Sequence, residues 1–140
     1  MPLLDQVLEK NPQTVKIVFK NFPIRSHKFA VKAAVAALAA NRQGKFWEFH
    51  DELFKDFRNL NEKKIEEIAS KLKLNKAKFE KDRKDPLLLE QVKHDVNEGI
   101  EVGVNGVPTV FVNGRKLKKR SLQGFQELID KELNTLKIKK

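Results

Sequence analysis

The side chains in this 140-residue sequence that could take part in acid–base or metal chemistry include three histidines, His27, His50 and His94. His50 has the richest surroundings, because an aspartate follows it and two glutamates lie within two residues. Adjacent positions of a helix do not face one another, and we recognise no histidine that is paired at i, i+4 with another ligand type in the pattern of a metal site. We therefore expect ordinary surface or boundary histidines and predict no metal site.

Cysteine is absent from the sequence. Thiolate catalysis, disulfide bonds and thiolate-bound zinc are therefore excluded for the chain as given. The sequence also lacks the motifs of serine hydrolases and zinc proteases, and the glycines of residues 103–106 are not followed by the lysine and hydroxyl residue of a phosphate-binding loop. The residue pattern marks no catalytic group, and we predict no cofactor.

The segment GVNGVPTVFVNG, residues 103–114, has a short apolar core between turn-forming residues. Pro108 stands at the entrance of this core. Proline donates no backbone hydrogen bond, so it is usually found at the first residue or the edge of a strand. The following VNGRKL is typical of a tight turn, which predicts a hairpin between residues 108–112 and 116–118.

The elements around this hairpin are predicted to be mostly helical. A helix over residues 2–10 ends at Asn11-Pro12, and a strand is predicted over residues 14–22, where β-branched and aromatic residues alternate with lysines. From about residue 26 to 103 the pattern is helical throughout. Five helices are predicted there, starting near Ser26, Lys45, Asn61, Asn75 and Pro86, and a last one follows Ser121.

In two of these helices the spacing of apolar residues predicts which face is buried. The helix from Lys45 is predicted to bury Phe46, Phe49, Leu53 and Phe54. The helix from Pro86 is predicted to bury Leu89, Val92, Val96 and Ile100.

The formal net charge of +10 allows for an anionic partner. Most lysines alternate with acidic residues, as on an ordinary solvated surface. The run RKLKKR, residues 115–120, offers phosphate contacts but no aromatic side chain for base stacking, so nucleic acid is not expected as the partner. The longest apolar stretch, residues 30–40, is too short to span a bilayer.

Three segments occur in the order and spacing of a known family: VKIVFKNFPI, SHKFAVKAAVAALAANRQGKFWEFHDELF and GVNGVPTVFVNG. From about residue 2 to 136 the chain resembles the DsbA-type thioredoxin-fold thiol:disulfide oxidoreductases. The resemblance implies an α/β class with a thioredoxin-like core, an incomplete sheet and a helical subdomain inserted at about residues 26–103. It implies one truncated domain over residues 1–140.

The same resemblance assigns a role to the proline loop. In the family this proline follows a cis peptide bond and its loop lies beside the redox centre, so the resemblance implies a cis Val107–Pro108 bond. It also implies that Gly106, Val107, Pro108 and Thr109 bind the substrate, an extended or unfolded polypeptide.

The chain departs from the family at its redox centre. The family's Cys-x-x-Cys motif precedes the stretch that corresponds to PLLDQVLEK, and this sequence begins after it. Thiol–disulfide exchange needs an attacking thiolate, so we expect a DsbA-like protein that is redox-inactive as this chain. The alternative is a non-enzymatic module that binds peptides or proteins on a thioredoxin-like scaffold.

Two further expectations follow from the resemblance. The family's central strand is missing, so we expect exposed strand edges that close on each other or pair two copies of the chain. The family's setting is the periplasm or cell envelope. The first residues, MPLLDQVLEK, lack the basic and apolar regions of a signal peptide, which would favour the cytoplasm if this is the complete product.

Overall fold

The computed structural model describes residues 2–23 and 29–138. The chain divides into two compact units, one formed by Met1–Phe19 with Gly106–Lys140 and the other by Lys20–Asn105. In the described part of the chain, none of the helices combines the length and the apolar character needed to cross a membrane.

The first unit contains helix α1, a two-stranded sheet and the last helix, α7. The bounds are α1 Pro2–Lys10, β1 Phe111–Val112, β2 Arg115–Lys116 and α7 Leu122–Ile138. Its core is a cluster of buried apolar side chains against which half-buried residues of both chain segments pack. The buried members are Val7, Leu117, Phe125 and Ile129, and the half-buried ones include Val15, Val110 and Val112.

The second unit is helical. Its elements are α2 Ala30–Asn41, α3 Phe46–Lys55, a 3-10 turn Phe57–Asn59, α4 Glu62–Lys71, α5 Lys76–Arg83 and α6 Pro86–Glu101. The five helices predicted between the strand and the hairpin are therefore present. The predicted first cap, Ser26, lies outside the described residues, as does His27.

Local side chains explain where these helices begin. The side chains of Asn61 and Asn75 accept hydrogen bonds from backbone N–H groups three residues further on, which satisfies donors that a helix leaves unpaired. Asp85 accepts from Leu87 N and places Pro86 at the first helical position. The predicted starts at these residues are confirmed.

The core of the second unit is built on the alanine-rich helix α2. Small side chains let neighbouring helices come close, and the aromatic rings then fill the space between them. Phe49 of α3 and Phe79 of α5 are fully buried, with ring centroids 5.6 Å apart. The alanines of α2 in this core are Ala33, Ala36, Ala37, Ala39 and Ala40.

The predicted strand over residues 14–22 is wrong as a strand, because no residue of this segment is paired in a sheet. Val15 and Ile17 are half-buried and Lys16 and Val18 exposed, so the alternation that suggested a strand is real. A strand also needs a neighbour for its backbone hydrogen bonds. β1 pairs with β2, and neither pairs with this segment in the structure as described.

The predicted inner face of α6 is confirmed at Val92, which is buried, and Val96 is half-buried. It is wrong at Leu89 and Ile100, which are 38% and 59% exposed, whereas Leu88 and Asp95 are buried instead. The buried face includes a carboxylate because Asp95 Oδ2 accepts hydrogen bonds from both N and Nδ2 of Asn21, each 2.9 Å long. A polar residue in the core cannot be recognised from apolar spacing. Phe54 of α3, predicted to be buried, is likewise 53% exposed.

We expect Asp95→Ala to lower the free energy of unfolding by about 2 kcal/mol, since hydrogen bonds to a charged group contribute about 1.5–3 kcal/mol. Glu90→Ala, on the exposed side of the same helix, should change stability little. Urea titration measures both. Hydrogen exchange at the Asn21 amide supplies a local readout, and unchanged protection in Asp95→Ala would contradict the role given to this contact.

Candidate functional site

The segment Gly106–Thr109 forms an ordered bend before β1. The Val107–Pro108 peptide bond is cis. The Thr109 hydroxyl donates a 2.7 Å hydrogen bond to the carbonyl oxygen of Gly106, which closes the bend across three residues. A hydroxyl that bonds the backbone in this way is a common means of holding a turn.

The hairpin after the bend anchors it to the core. Val110 O accepts a 2.8 Å hydrogen bond from Leu117 N, next to the β1–β2 pairs Phe111↔Lys116 and Val112↔Arg115. Asn113 and Gly114 have φ of 49° and 82°, the left-handed values that a two-residue hairpin turn requires. The predicted hairpin is confirmed, with shorter strands than predicted.

Val107 presents an unpaired backbone at the surface. Val107 is 47% exposed, and the neighbouring Pro108 is also exposed. No other residue of the described chain forms a hydrogen bond with Val107 N–H or C=O. An extended peptide can pair with such backbone groups as an added strand would.

A glycine positions the chain that follows the hairpin. Gly124 is buried in the first turn of α7, where the backbone of Lys119 lies directly against it. A Cβ at position 124 would overlap the carbonyl oxygen of Lys119. Lys119 O also accepts a 3.0 Å hydrogen bond from Ser121 N. This contact was not predicted from the sequence, where its signal is a glycine inside a helix at a position that would favour alanine.

His50 is not the surface or boundary residue that was expected, since it is 3% exposed. Its Nδ1 lies 3.2 Å from Asp51 Oδ1, so the adjacent pair does meet. Burial lowers the pKa of His50, and the neighbouring Asp51 opposes that shift. The centroid of the His50 ring lies 4.5 Å from that of the Phe54 ring, and other aromatic residues of α3 lie nearby. This environment is that of a packed, neutral histidine.

Several other charged groups of this unit pair with one another. Arg42 Nη1 lies 2.9 Å from both Asp82 Oδ1 and Asp85 Oδ2. For Asp85, the Leu87 amide and then Arg42 hold the carboxyl pKa below its usual value. His94 is exposed and its Nε2 lies 3.2 Å from Oε2 of Glu98, four residues further on, so a histidine is paired with an acidic side chain at a spacing where none was expected. Within residues 2–23 and 29–138, no three histidine or acidic side chains are grouped to hold a metal ion.

Comparisons with known proteins place this geometry in a family. The family model described as thioredoxin matches residues 2–131. The fold is similar to the crystal structure of a thioredoxin-like oxidoreductase from Silicibacter pomeroyi, with a TM-score of 0.81 at 24% identity. That alignment covers 96% of this chain and 77% of the other.

Two curated relatives are similar to most of this chain, but the similarity covers only part of their own length. The probable disulfide bond formation protein D of Bacillus anthracis is 31% identical over 127 residues, which cover 85% of this chain and 58% of that protein. A Na(+)/H(+) antiporter NhaA 3 of Salinispora tropica is 35% identical over 104 residues, which cover 74% of this chain and 16% of the antiporter.

The chain thus spans a sixth to somewhat more than half of these relatives. The family model matches almost all of it, and the bend, the hairpin and the inserted helices occur in the order that the resemblance implies. The chain therefore belongs to the thioredoxin family, within the thioredoxin-fold proteins of the DsbA type.

Proposed function

We propose that this protein binds extended polypeptides at the loop Gly106–Thr109, in the manner of a DsbA-type thiol:disulfide oxidoreductase. The observation that supports this most directly is the exposed Val107, whose backbone groups have no partner in the described chain, beside a bend that Thr109 holds in shape. Backbone pairing recognises a chain by its extended form, which suits unfolded proteins of many sequences.

The proposed function does not include thiol–disulfide exchange by this polypeptide alone. Exchange proceeds through a thiolate attack on a disulfide sulfur, and the sequence has no cysteine. We expect no acceleration of insulin reduction by dithiothreitol in its presence. The absence of cysteine is also what favours the second candidate, a non-enzymatic binding module. By family resemblance, the periplasm or cell envelope is the proposed setting.

We expect Thr109→Val to weaken peptide binding about five-fold, because it removes the hydroxyl that orders the bend and a hydrogen bond contributes about 1 kcal/mol. Thr109→Ser keeps the hydroxyl and should bind like the original protein. Fluorescence anisotropy with a labelled, neutral ten-residue peptide rich in Val, Thr and Gln measures the three affinities. If Thr109→Ser is as weak as Thr109→Val, the hydrogen bond is not the cause.

The mode of binding has a test of its own. A strand donates hydrogen bonds to one neighbour only at alternate residues. Methylating the peptide nitrogens in one register should therefore abolish binding, while methylation in the other register should leave it intact. Amide NMR signals of Gly106, Val107 and Thr109 should shift on binding. Equal loss in both registers, or shifts confined to other segments, would contradict the proposal.

A second copy of the chain is a further proposed partner. Within the described residues, β1 is hydrogen-bonded on one side, to β2. Free edges of this kind can pair between molecules. Light scattering at increasing concentration tests this, and a constant monomer mass would count against a dimer.

A further inference from the structure

The hairpin beside the proposed binding loop and the residues that follow it carry positive charges and no negative ones. Five of the six residues from Arg115 to Arg120 are basic, and no acidic residue occurs between Gly106 and Ser121. Arg115 pairs with Glu132 of α7. The remaining basic residues, Lys116, Lys118, Lys119 and Arg120, are exposed and are called the basic strip below.

The basic strip has no internal counter-charge. None of its four side chains forms an ion pair with an acidic residue of the described chain. Lys55, Lys71 and Lys78 in the other unit each contact a carboxylate at 3.0 Å or less, whereas Lys63, Lys81 and Lys93 of that unit form no ion pair in the described chain. Charges that are left unpaired on one surface attract an oppositely charged partner and steer its approach.

The basic strip lies within reach of the same ligand as the loop. Leu117 is hydrogen-bonded to Val110, which is two residues from Pro108, and Lys118 follows Leu117. The path from Pro108 to Lys118 consists of two steps along the chain to Val110, the crossing from Val110 to Leu117, and one further step to Lys118. With about 3.8 Å for each step along the chain and about 5 Å for the crossing, the two Cα atoms are at most about 17 Å apart. A peptide of six extended residues is about 20 Å long.

The position of the strip is set by the fold. Lys119 lies against Gly124, and its carbonyl oxygen accepts from Ser121 N, so the backbone that carries the lysines is fixed on α7. A ligand seated on the loop would therefore meet side chains that extend from backbone of a set position. The charged ends of these side chains remain mobile and can adjust to a carboxylate of the ligand.

We propose that the basic strip selects acidic segments among the extended polypeptides that bind the loop Gly106–Thr109. This inference rests on the proposed function. Two observations favour a polypeptide over a nucleic acid as the ligand. The strip adjoins the unpaired backbone of Val107, which suits an extended peptide. Residues 115–120 also include no aromatic side chain on which bases could stack.

The test uses two labelled ten-residue peptides that differ only in Glu against Gln at alternate positions. We expect the original protein to bind the Glu peptide about ten-fold more tightly at low salt, with the preference falling as salt shortens the Debye length from about 30 Å at 0.01 M to 8 Å at 0.15 M. Lys118→Gln, Lys119→Gln and Arg120→Gln, combined in one variant, should abolish the preference. These changes keep the backbone contact with Gly124.

The matched control also removes three positive charges, but from the other unit. It combines Lys63→Gln, Lys81→Gln and Lys93→Gln, all at exposed positions. It should keep the preference. Equal binding of both peptides overturns the inference and leaves the proposed function standing, whereas binding of neither overturns both. Tighter binding of a random DNA duplex that is lost in the strip variant would also overturn the inference, in favour of a nucleic-acid surface.

Discussion

Phe49→Ala is expected to lower the free energy of unfolding by about 4 kcal/mol, within the 3–5 kcal/mol range for truncating a buried phenylalanine. Phe49 is fully buried, and its ring packs against Phe79. The surrounding α2 surface is built of alanines, which have no rotatable side chain that could move into the space. The cavity should therefore stay largely open, which places the cost above the lower end of the range.

Trp47, the only tryptophan, lies two residues from Phe49 and contacts Phe46 at 5.1 Å between ring centroids, so its fluorescence can follow urea unfolding of this unit. The control is Phe54→Ala on the same helix. Phe54 is 53% exposed, and its truncation should cost less than half as much. Similar losses for the two variants would contradict the assignment of Phe49 to the centre of this core.

Gly124→Ala is expected to destabilise the protein by about 3 kcal/mol, at the upper end of the cost of overpacking. Helix propensity alone predicts the opposite sign, because alanine is about 1 kcal/mol more favourable than glycine inside a helix. The steric term should win because the atom in the way is the Lys119 carbonyl oxygen, part of a backbone held by Ser121 N and by the hairpin. A flexible side chain could move aside, but this backbone cannot do so without losing those bonds.

Circular dichroism during urea unfolding measures this effect, and hydrogen exchange at the Leu117 amide reports whether the hairpin is disturbed. Gln123→Ala, at the exposed neighbouring position, serves as the control and should be close to neutral. A stabilised Gly124→Ala protein would show that Lys119 moves away at little cost, and would remove the basis for a fixed basic strip.

Helix starts could be predicted because their causes are local. Asn61, Asn75 and Pro86 act through side chains or ring geometry within three residues, and all three are found at or next to the first turn of a helix. The strand over residues 14–22 failed for the opposite reason. Alternation describes which side chains face a core, whereas a strand also depends on a partner segment that is distant in sequence.

The buried faces show a second limit of pattern analysis. On α6 the true face runs through Leu88, Val92 and Asp95, and the aspartate belongs there because Asn21 satisfies it from 74 residues away. His50 differs, since the aromatic rings beside it, those of Trp47 and Phe54, lie three and four residues away on its own helix, a spacing that could have indicated its position. Buried polar residues depend on specific partners, and hydropathy alone carries no information about those partners.

The candidate site was found by resemblance, since nothing in residue type alone singles out Gly106–Thr109. The Asn-Gly pair at positions 113 and 114 did predict the hairpin, because its left-handed backbone is a local requirement. The exposure of Val107 could not be predicted from its residue type. The contact between Lys119 and Gly124 was not predicted, although a glycine inside a helix is a signal for such a contact.

The contacts that shape the loop share one further property, which concerns how binding preference could change over evolution. The bend, its hydroxyl, the hairpin, the basic strip and the glycine that seats it all lie within residues 106–124. Recombination or a cassette exchange of this single stretch would thus transfer loop, charge and anchor together. A protein that received this stretch with acidic or neutral residues at positions 116–120 would bind a different set of peptides after a single exchange. The helical unit formed by Lys20–Asn105 would not have to change.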